Sequence, residues 1–294
     1  MLTVPAGFAR STVDRQGDGG QLWIDAVPEL AMRYLDEWSC TPAGPFTHGF
    51  VGVVLPVRRA DGTDAVLKLS FPHQRNVAEP VVLAAWAGRG AVRLLERDDD
   101  RFAMLLERLR QLPHLPDNPF TAVGRLARRL AVPAPPGLRH LADVARERLD
   151  QLPEHAARLA NPLGQRVVDA ALANARELAE DRSTTLVHGD LHFGNVLAGD
   201  RGPLLAIDPN GLVGDRAYDL IPLLRTRWAD IDGERGLDRA LAEFADAAEV
   251  DRDRVRKWAQ VRASVDAHWS RLLREPAWVT GVCDLIATRL TPLS

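Results

Sequence analysis

The sequence predicts an α+β fold, with a sheet-rich N-terminal lobe followed by a mainly helical C-terminal lobe. Two hairpin signals lie within roughly the first hundred residues, whereas amphipathic helical stretches separated by Pro-rich loops fill most of the chain after Leu109. A chain of 294 residues, 46% of them hydrophobic, can bury a core in each of two modest lobes. We predict lobe boundaries of 1–108 and 109–294.

Composition argues against several classes of protein. The net charge is -3 at pH 7, so bulk electrostatics gives no reason to expect nucleic acid. No run approaches the roughly 20 apolar residues of a membrane span, and the N-terminus lacks a basic start followed by an apolar stretch. Cys40 and Cys283 lie too far apart in sequence to suggest a disulfide framework. We expect a cytoplasmic protein, monomeric or weakly dimeric, without nucleic-acid or membrane partners.

The N-terminal lobe is predicted from four local patterns. Apolar residues near helical spacing predict an opening helix over 27–38. The stretch "FVGVVLPVRRADGTDAVLKLS" holds two β-rich runs on either side of Asp61-Gly62, a two-residue hairpin signal. A short helix over 81–88 follows. A second hairpin, which turns at 98–100 and ends near Glu107, completes the lobe.

Helical periodicity dominates the C-terminal lobe. The predicted helices cover 122–130, 138–152, 166–180, 216–229, 235–247, 251–273 and 276–289. The segment "LVHGDLHFGNVLAGDRGPLLAIDPNG" (186–211) interrupts them, and its part "NVLAGDRGPLLAID" indicates two short strands joined by 199–202. This hairpin would bring Asn195 and Asp208 side by side at its open end, with Asp190 in the loop just before it.

Oxygen-bearing side chains at the end of one hairpin indicate a site for a hard cation. Carboxylate and amide oxygens suit Mg²⁺, whereas neither cysteine nor paired histidine at this spacing supports zinc. Phosphoryl-transfer sites combine a catalytic Asp, an Asn five residues later, a metal-binding Asp and a Lys on an N-terminal strand. The sequence offers these four parts in the expected order, as Lys68, Asp190, Asn195 and Asp208. The predicted chemistry is phosphoryl transfer from a nucleotide to a small hydroxylated molecule.

Each of these residues also has a purely structural interpretation. Asp190, Asn195 and Asp208 taken singly could each cap or start a turn. The amine of Lys68 could extend to solvent from a half-buried strand. However, Lys68 and Lys257 are the only lysines among 37 basic residues, so a retained ammonium on a strand favours a role in binding phosphates. The joint pattern therefore favours chemistry.

The segments "HGDLHFGN" (188–195) and "IDPNGLVGDRAYDL" (207–220) resemble the aminoglycoside phosphotransferase branch of the protein-kinase-like fold. A closer resemblance to the streptomycin and hydroxyurea resistance kinases rests on "LPVRRADGTDAVLKL" (55–69), "WAGRGAVRLLERDDD" (86–100) and "MLLERL" (104–109). The similarity covers most of residues 38–225. It implies a two-lobed protein-kinase-like fold, ATP as cosubstrate, Mg²⁺, and transfer of the γ-phosphate to a hydroxyl of a small cationic antibiotic, a streptomycin-like aminoglycoside first.

The resemblance also implies roles for individual residues. Asp190 would be the catalytic base, and Asn195 and Asp208 would hold Mg²⁺. In the N-terminal lobe, which would bind the nucleotide, Lys68 would contact the α- and β-phosphates and pair with an acid on the next helix. The remaining nucleotide-binding candidates are Glu79 as that acid, Gly49 in the loop over the phosphates, and Glu107 and Leu109 in the hinge against the adenine.

Three departures from the protein-kinase pattern affect these expectations. The loop "GPFTHGFVG" (44–52) lacks the G-x-G-x-x-G spacing, so we expect a flexible or substrate-ordered loop. Glu79 precedes Pro80, which disfavours helical geometry at Glu79 and leaves its pairing with Lys68 open. "DPNG" stands where protein kinases have "DFG", so we expect no switching by Phe packing.

For the acceptor, the sequence leaves several alternatives open. A cationic antibiotic requires acidic residues and stacking surfaces. We favour Asp266 and Trp269, which "SVDAHWS" puts on one helical face. Asp215 and Asp219 could instead brace the lobe, and tryptophans more often belong to a core. The full set of candidates is Asp215, Asp230, Asp232, Glu234, Asp266, Trp228 and Trp269.

Other functions fit the same motifs. A kinase with the same machinery could phosphorylate hydroxyurea, a viomycin-type peptide antibiotic or a metabolic amino sugar. A non-catalytic nucleotide-binding pseudokinase is a remote alternative, because such a protein would be expected to have lost at least one of the four motif residues.

Overall fold

The computed structural model describes residues 2–73 and 76–292, apart from the side chain of Glu234. Two compact units can be distinguished. The first comprises the residues up to Gln111 together with Ala198–Ile207, and the second comprises Leu112–Leu197 together with the residues from Asp208 onward. The segment between Ala198 and Ile207 therefore belongs to the first unit although it lies far along the chain.

An antiparallel sheet forms the first unit. Its strands are β1 (Cys40–Pro42), β2 (Thr47–His48), β3 (Gly52–Arg59), β4 (Asp64–Ser70), β5 (Leu94–Asp98) and β6 (Ala103–Glu107). They lie in the order β1-β3-β4-β6-β5, with β2 paired to β3. The predicted turn joins β3 to β4, and Gly62 has a φ of 81°, which only glycine adopts without strain. Both predicted hairpins are confirmed.

Alternation along β3 and β4 separates the two faces of this sheet. Val53, Leu55 and Leu67 are buried on one face against the helix α1 (Ala6–Glu37). Lys68 lies between buried neighbours and therefore points to the opposite face. The hydrophobic pattern thus fixes which face of the sheet carries the lysine.

Helix α1 begins much earlier than the predicted start at residue 27. Its polar first half contains Gly17, Gly19 and Gly20, which lower helix propensity, so the sequence gives little signal there. The helix bends at Gly17, where φ is 58° and ψ is -140°. Beyond the bend, a Cβ on Gly20 would lie 2.8 Å from the carbonyl oxygen of Thr12. Gly20 is therefore explained by close backbone packing, although glycine has a low helix propensity.

The short helix α2 (Glu79–Trp86) confirms the predicted helix with a shifted boundary. It begins at Glu79 because Pro80 occupies the first turn, where its missing N–H costs no hydrogen bond. Val82, Leu83 and Trp86 are buried, which fixes the orientation of the helix in the first unit.

The second unit is mainly helical, as predicted. Its helices are α3 (Pro119–Leu130), α4 (Leu141–Arg158), α5 (Gln165–Leu178), α6 (Leu220–Thr226), α7 (Gly233–Ala248), α8 (Arg252–Leu272) and α9 (Ala277–Arg289). The single helix predicted over 216–229 is wrong. This stretch consists of α6 between two 3₁₀ turns, Arg216–Asp219 and Trp228–Asp230, with Pro222 in the first turn of α6. Across the residues that the structure describes, no helix is long and apolar enough to cross a membrane.

A small three-stranded sheet interrupts the helices of the second unit. Strand β8 (Leu186–Val187) pairs antiparallel with β11 (Leu212–Val213), which also pairs with β7 (Arg139–His140). Between β8 and β11 the chain forms the predicted hairpin, β9 (Val196–Gly199) and β10 (Gly202–Ala206). Because β8 and β11 are antiparallel, the loop that leaves β8 and the segment that enters β11 lie at the same end of the sheet.

Candidate active site

The loop that carries Asp190 is fixed to the segment that carries Asp208. The carbonyl oxygen of His188 accepts hydrogen bonds from the N–H of Asn210 at 2.9 Å and of Gly211 at 3.2 Å. His188 is fully buried. Both predicted acidic segments are therefore held together by backbone hydrogen bonds at one end of the small sheet.

A buried carboxylate anchors the same loop from a different element. Asp219 is 2% exposed, and its two oxygens accept the N–H of Gly189 at 2.7 Å and the N–H of His188 at 3.2 Å. Burial raises the pKa of Asp219 to about 7, against the lowering effect of these N–H donors and of Arg262. Gly189 has a φ of 87°, which suits glycine at this sharp bend. Asp219 thus braces the lobe, the alternative that the sequence left open for it.

The carboxylate of Asp190 lies among imidazoles and a guanidinium. Burial alone would raise its pKa, but His192, Arg262 and His188 together hold the pKa of Asp190 below its usual range. His192 Nε2 lies 3.8 Å from Asp190 Oδ2. Asp190 is consequently ionised at neutral pH and can accept a proton from a hydroxyl.

The ring of His192 is itself held in place. Its Nδ1 accepts the N–H of Gly194 at 3.0 Å, which caps the 3₁₀ turn Phe193–Asn195. A Cβ on Gly194 would lie 2.7 Å from His192 Cε1 and 2.8 Å from Nδ1, so the ring requires glycine at this position. When the imidazole is neutral, this bond leaves the proton on Nε2, the nitrogen nearer to Asp190.

Asn195 and Asp208 provide oxygen donors that fit a hard cation. Asn195 Nδ2 donates to the carbonyl oxygen of Asp190 at 3.0 Å, which orients the amide and leaves its oxygen as the atom for a metal. Asp208 is exposed and has a φ of 59°, a left-handed conformation that Asp tolerates better than most residues. An amide oxygen and an exposed carboxylate suit Mg²⁺, which keeps several ligand positions for water and phosphate.

The first unit contains the ion pair that the sequence left open. Lys68 Nζ donates to both carboxylate oxygens of Glu79, at 2.6 and 2.7 Å. The side chains are 12% and 3% exposed, so removing either partner would leave a charge largely shielded from water. Glu79 is the first residue of α2, and the proline that follows does not prevent the pairing.

The loop expected over the phosphates is the turn between β2 and β3. Gly49 donates its N–H to the carbonyl oxygen of Gly52 at 3.0 Å, and Gly52 rather than Gly49 is sterically required, since a Cβ there would lie 2.7 Å from the carbonyl oxygen of Leu69. Arg15 of α1 donates to the carbonyl oxygen of Phe50 at 2.9 Å, and its guanidinium covers the Phe50 ring at 4.5 Å. Helix α1 thus contacts the loop between β2 and β3, which lacks the G-x-G-x-x-G spacing.

The predicted hinge residues differ in what their side chains do. The carboxylate of Glu107 accepts from Arg201 and from the N–H of Arg93, so any contact of Glu107 with a base would be made by its backbone. Leu109 directly precedes Arg110, whose backbone pairs with Ala198. The role of both residues in nucleotide binding stays a prediction.

The predicted acceptor residues fall into two groups. Asp215 caps the 3₁₀ turn that follows it and forms an ion pair with Arg254, and Asp230 pairs with Arg227. These contacts account for both carboxylates, so we assign them to bracing. By contrast, the contact of Asp266 with Arg225 is loose, at 3.4 Å.

The remaining acceptor candidates are two tryptophans and two acids, and they differ in exposure. Trp269 is 40% exposed and meets His155 edge-on, so it is not a core residue. Trp228 is half-buried and Asp232 is exposed, whereas the side chain of Glu234 lies outside the described residues.

Arg262 is a site residue that sequence reasoning missed. Its guanidinium stacks on the Tyr218 ring at 4.1 Å and donates to the Tyr218 carbonyl at 3.1 Å. Burial would lower its pKa, but Tyr218, Asp266, Asp190 and Asp219 together raise it, so the charge is permanent. Arg262 could have been predicted from its spacing to Asp266, because residues four positions apart on a helix lie on the same face.

Comparison with known proteins shows the family of the chain. Residues 37–272 match the family described as aminoglycoside/hydroxyurea antibiotic resistance kinase. A streptomycin 6-kinase of Streptomyces glaucescens is 39% identical over 279 residues, 92% of this chain and 91% of the relative. A hydroxyurea phosphotransferase of Kitasatospora aureofaciens is 40% identical over 277 residues, 92% of this chain and 80% of the relative.

Solved structures support the fold. A choline kinase of Streptococcus pneumoniae superposes with a TM-score of 0.58 at 11% identity, covering 90% of this chain and 99% of that one. A spectinomycin phosphotransferase gives 0.53 at 12% identity, covering 89% and 93%. The fold is protein-kinase-like, as predicted. Since the family match spans most of the sequence and the relatives align along nearly all of it, the chain belongs to the aminoglycoside/hydroxyurea antibiotic resistance kinases and is a small-molecule kinase.

Proposed function

We propose that this kinase transfers the γ-phosphate of ATP to a hydroxyl of a small cationic antibiotic, a streptomycin-like aminoglycoside first. The observation that carries the proposal is the Asp190 carboxylate, which is held ionised in a loop tied by hydrogen bonds to Asn195 and, through the His188 carbonyl, to Asn210. Relatives named as streptomycin 6-kinases support the choice of acceptor.

Asp190 is the catalytic base in this proposal. As the acceptor oxygen bonds to the γ-phosphorus, the bond from that phosphorus to the β,γ-bridging oxygen breaks, ADP leaves, and the hydroxyl proton passes to Asp190. Its lowered pKa keeps the base form populated at neutral pH, and activity falls as the pH drops through that lowered value. The protein accelerates the reaction by positioning the reactants, without forming a covalent bond to the phosphoryl group.

The nucleotide contacts follow from the donors available. Asn195 and Asp208 would hold Mg²⁺, which when bound neutralises charge on the phosphates of ATP. The Lys68 ammonium, oriented by Glu79, binds the α- and β-phosphates, and its compact form suits a site that is only 12% exposed. Neither role requires a covalent intermediate on the protein.

Helix α8 offers the surface for a cationic acceptor. Arg262, Asp266 and Trp269 follow one another at helical spacing, and the charge of Arg262 acts on both Asp190 and Asp266. Asp266 retains free hydrogen-bonding capacity beside its loose Arg225 contact, and the exposed Trp269 ring can stack on a guanidinium. We infer that Asp266 binds an ammonium or guanidinium group of the antibiotic.

Hydroxyurea is the second candidate acceptor. The relative named as a hydroxyurea phosphotransferase is as similar to this chain as the streptomycin 6-kinases are. Hydroxyurea is small and uncharged, so it would make little use of Asp266. The two acceptors therefore differ in how they respond to removal of that carboxylate.

The test is ADP release with Mg-ATP across a panel of streptomycin, other aminoglycosides, hydroxyurea, viomycin and free amino sugars. We expect turnover with streptomycin, a rise of roughly tenfold in its KM for Asp266→Asn, and loss of turnover for Asp190→Asn with nucleotide binding retained. Turnover with hydroxyurea alone, unchanged in Asp266→Asn, would transfer the assignment to hydroxyurea. Full activity of Asp190→Asn would remove Asp190 as the base.

A further inference from the structure

Arg201, in the turn between β9 and β10, makes a dense set of contacts within the first unit. Its Nε donates to Glu107 Oε2 at 3.0 Å, and its Nη2 donates to the other carboxylate oxygen of Glu107. The guanidinium also donates to the carbonyl oxygens of Gly88, at 2.6 Å, and Ala91, at 3.0 Å. One side chain thus joins the turn to two separate segments.

Those two segments meet at the end of β6. Gly88 and Ala91 lie in the connection between α2 and β5, and Glu107 is the last residue of β6. Glu107 is also tied to this connection directly, because its carboxylate accepts the Arg93 N–H at 3.0 Å and its own N–H donates to the Arg93 carbonyl at 3.0 Å. The side chains of Arg201 and Glu107 are only 25% and 19% exposed, so their charges are partly shielded from water.

Backbone pairing fixes the chain just beyond Glu107. The N–H and carbonyl of Arg110 exchange hydrogen bonds of 2.8 Å with the carbonyl and N–H of Ala198 in β9. The Leu109 side chain packs against Gly199 so closely that a Cβ there would lie 2.7 Å from Leu109 Cδ2. Residues 107–110 are therefore held at both ends, by Arg201 on one side and by β9 on the other.

We propose that Arg201 is a positioning residue for nucleotide binding, which fixes residues 107–109 so that their backbone meets the base in one geometry. The proposal rests on the function proposed above, in which this segment contacts the adenine. A segment already fixed before binding loses less conformational freedom when the nucleotide arrives. In this role Arg201 acts through Glu107 and the connection between α2 and β5, and not by contact with the nucleotide.

The contacts explain why the residue is an arginine. The planar guanidinium presents several donors in a fixed fork, which lets it reach one carboxylate and two carbonyls together. A lysine would keep the charge near Glu107 but could not reach all of these acceptors. The pKa of Arg201 is raised by its hydrogen bond with Glu107, so the donors remain available at all relevant pH.

The turn also supplies a matched control. Asp200, next to Arg201, contacts Arg110 at 2.7 Å, and the two side chains are 87% and 68% exposed. Exposed ion pairs contribute little to stability or geometry. Asp200→Asn should therefore leave both nucleotide and acceptor kinetics unchanged, although it alters the neighbouring residue in the same turn.

The experiment compares Arg201→Met, Arg201→Lys and Asp200→Asn with the wild type by steady-state kinetics and by calorimetric binding of Mg-ADP. We expect Arg201→Met to raise the KM for ATP and the Kd for ADP by about tenfold, with the acceptor KM within about twofold of the wild-type value. Arg201→Lys should lie between Arg201→Met and the wild type. Glu107→Gln combined with Arg201→Met should add little to Arg201→Met alone.

The outcomes separate the two proposals. A wild-type protein that does not bind Mg-ADP contradicts the proposed nucleotide site. If the wild type binds Mg-ADP and Arg201→Met binds it equally well, the positioning role of Arg201 is wrong while the kinase function stands. A lowered melting temperature with both KM values unchanged also refutes the positioning role, because it would indicate bracing of the fold alone.

Discussion

Replacement of Asp219 by Asn tests how the catalytic loop is held. Asp219 accepts N–H groups from both His188 and Gly189, and Asn has nearly the same shape but only one accepting oxygen. One of the two N–H groups would then face the Asn amino group. The substitution therefore loosens the loop that carries Asp190 without opening a cavity in the buried site.

The same substitution also removes a proton-binding group with a shifted pKa. The pKa of Asp219 is about 7 in the folded protein and 3.8 ordinarily, a difference of about 4 kcal/mol. Because the folded protein binds this proton more tightly than the unfolded chain does, the stabilisation is fully present below about pH 4 and is lost as the pH rises to about 7. Asn cannot ionise and does not lose this contribution.

The stability difference between the two proteins should therefore depend on pH. Loss of one hydrogen bond costs the variant about 1–3 kcal/mol. Relative to the wild type, the unfolding free energy of Asp219→Asn should rise by about 3 kcal/mol between pH 5 and pH 8, since the ionised carboxylate is unfavourable only in the wild type. The change with pH is diagnostic, because it follows from the titration of Asp219, which the variant lacks.

The wild-type protein should lose stability but gain activity as the pH rises through about 7. Above pH 7 the ionised Asp219 accepts both N–H groups, so the wild-type kcat should rise as the pH passes through about 7. A loosened Asp190 should lower the kcat of Asp219→Asn by about 10²-fold at pH 8 and abolish that rise, with the KM for ATP unchanged.

The measurements are urea unfolding at pH 5 and pH 8 and kcat from pH 5.5 to 9. A variant whose kcat at pH 8 lies within about threefold of the wild-type value would refute the anchoring of the loop by Asp219. A stability difference from the wild type that is the same at both pH values would refute the raised pKa of Asp219.

Two further substitutions have matched controls in the chain. Gly194→Ala should displace the His192 ring, because the added Cβ would lie 2.7 Å from it, and should lower kcat by about tenfold. The control Gly19→Ala, with nothing within 4 Å of the added carbon, should leave activity unchanged. Equal kinetics of the two variants would contradict a role for the His192 ring. Lys68→Arg should lower kcat/KM for ATP by about 10²-fold, because the wide guanidinium does not fit where one ammonium binds both oxygens of Glu79. The control Lys257→Arg should behave as wild type, since the acidic partners of Lys257 are 58% and 65% exposed. Tolerance of both changes would show that a compact ammonium is not required at position 68.

Local patterns explain what could be predicted from the sequence. The turn at Asp61-Gly62 defines β3 and β4, and strand alternation then assigns Lys68 to the face opposite the core. The interval from Asp190 to Asn195 and the hairpin that follows it are equally local. In each case the residues that determine the geometry lie within a few positions of one another, so spacing and turn chemistry are sufficient.

Contacts between distant parts of the chain could not be predicted in this way. Asp219 lies 30 residues from Gly189, and Arg201 lies 94 residues from Glu107. Neither separation produces a periodic pattern, so Asp219 could be named only as one of several possible bracing acids and Arg201 was not singled out. Glu107 shows the consequence, because its position suggested nucleotide contact while its carboxylate is engaged within the fold.

Several positions of the motif "HGDLHFGN" constrain one another. His188 supplies the carbonyl that fixes the segment entering β11 and the Nδ1 that accepts the N–H of Asp190 at 3.2 Å. Gly194 makes room for the His192 ring, and Asn195 binds the carbonyl of Asp190 at 3.0 Å with the end of its side chain that a metal does not use. A turn that needed only a cap would tolerate substitution at most of these positions. Several mutual contacts within eight residues therefore hold the loop around the Asp190 carboxylate in one conformation.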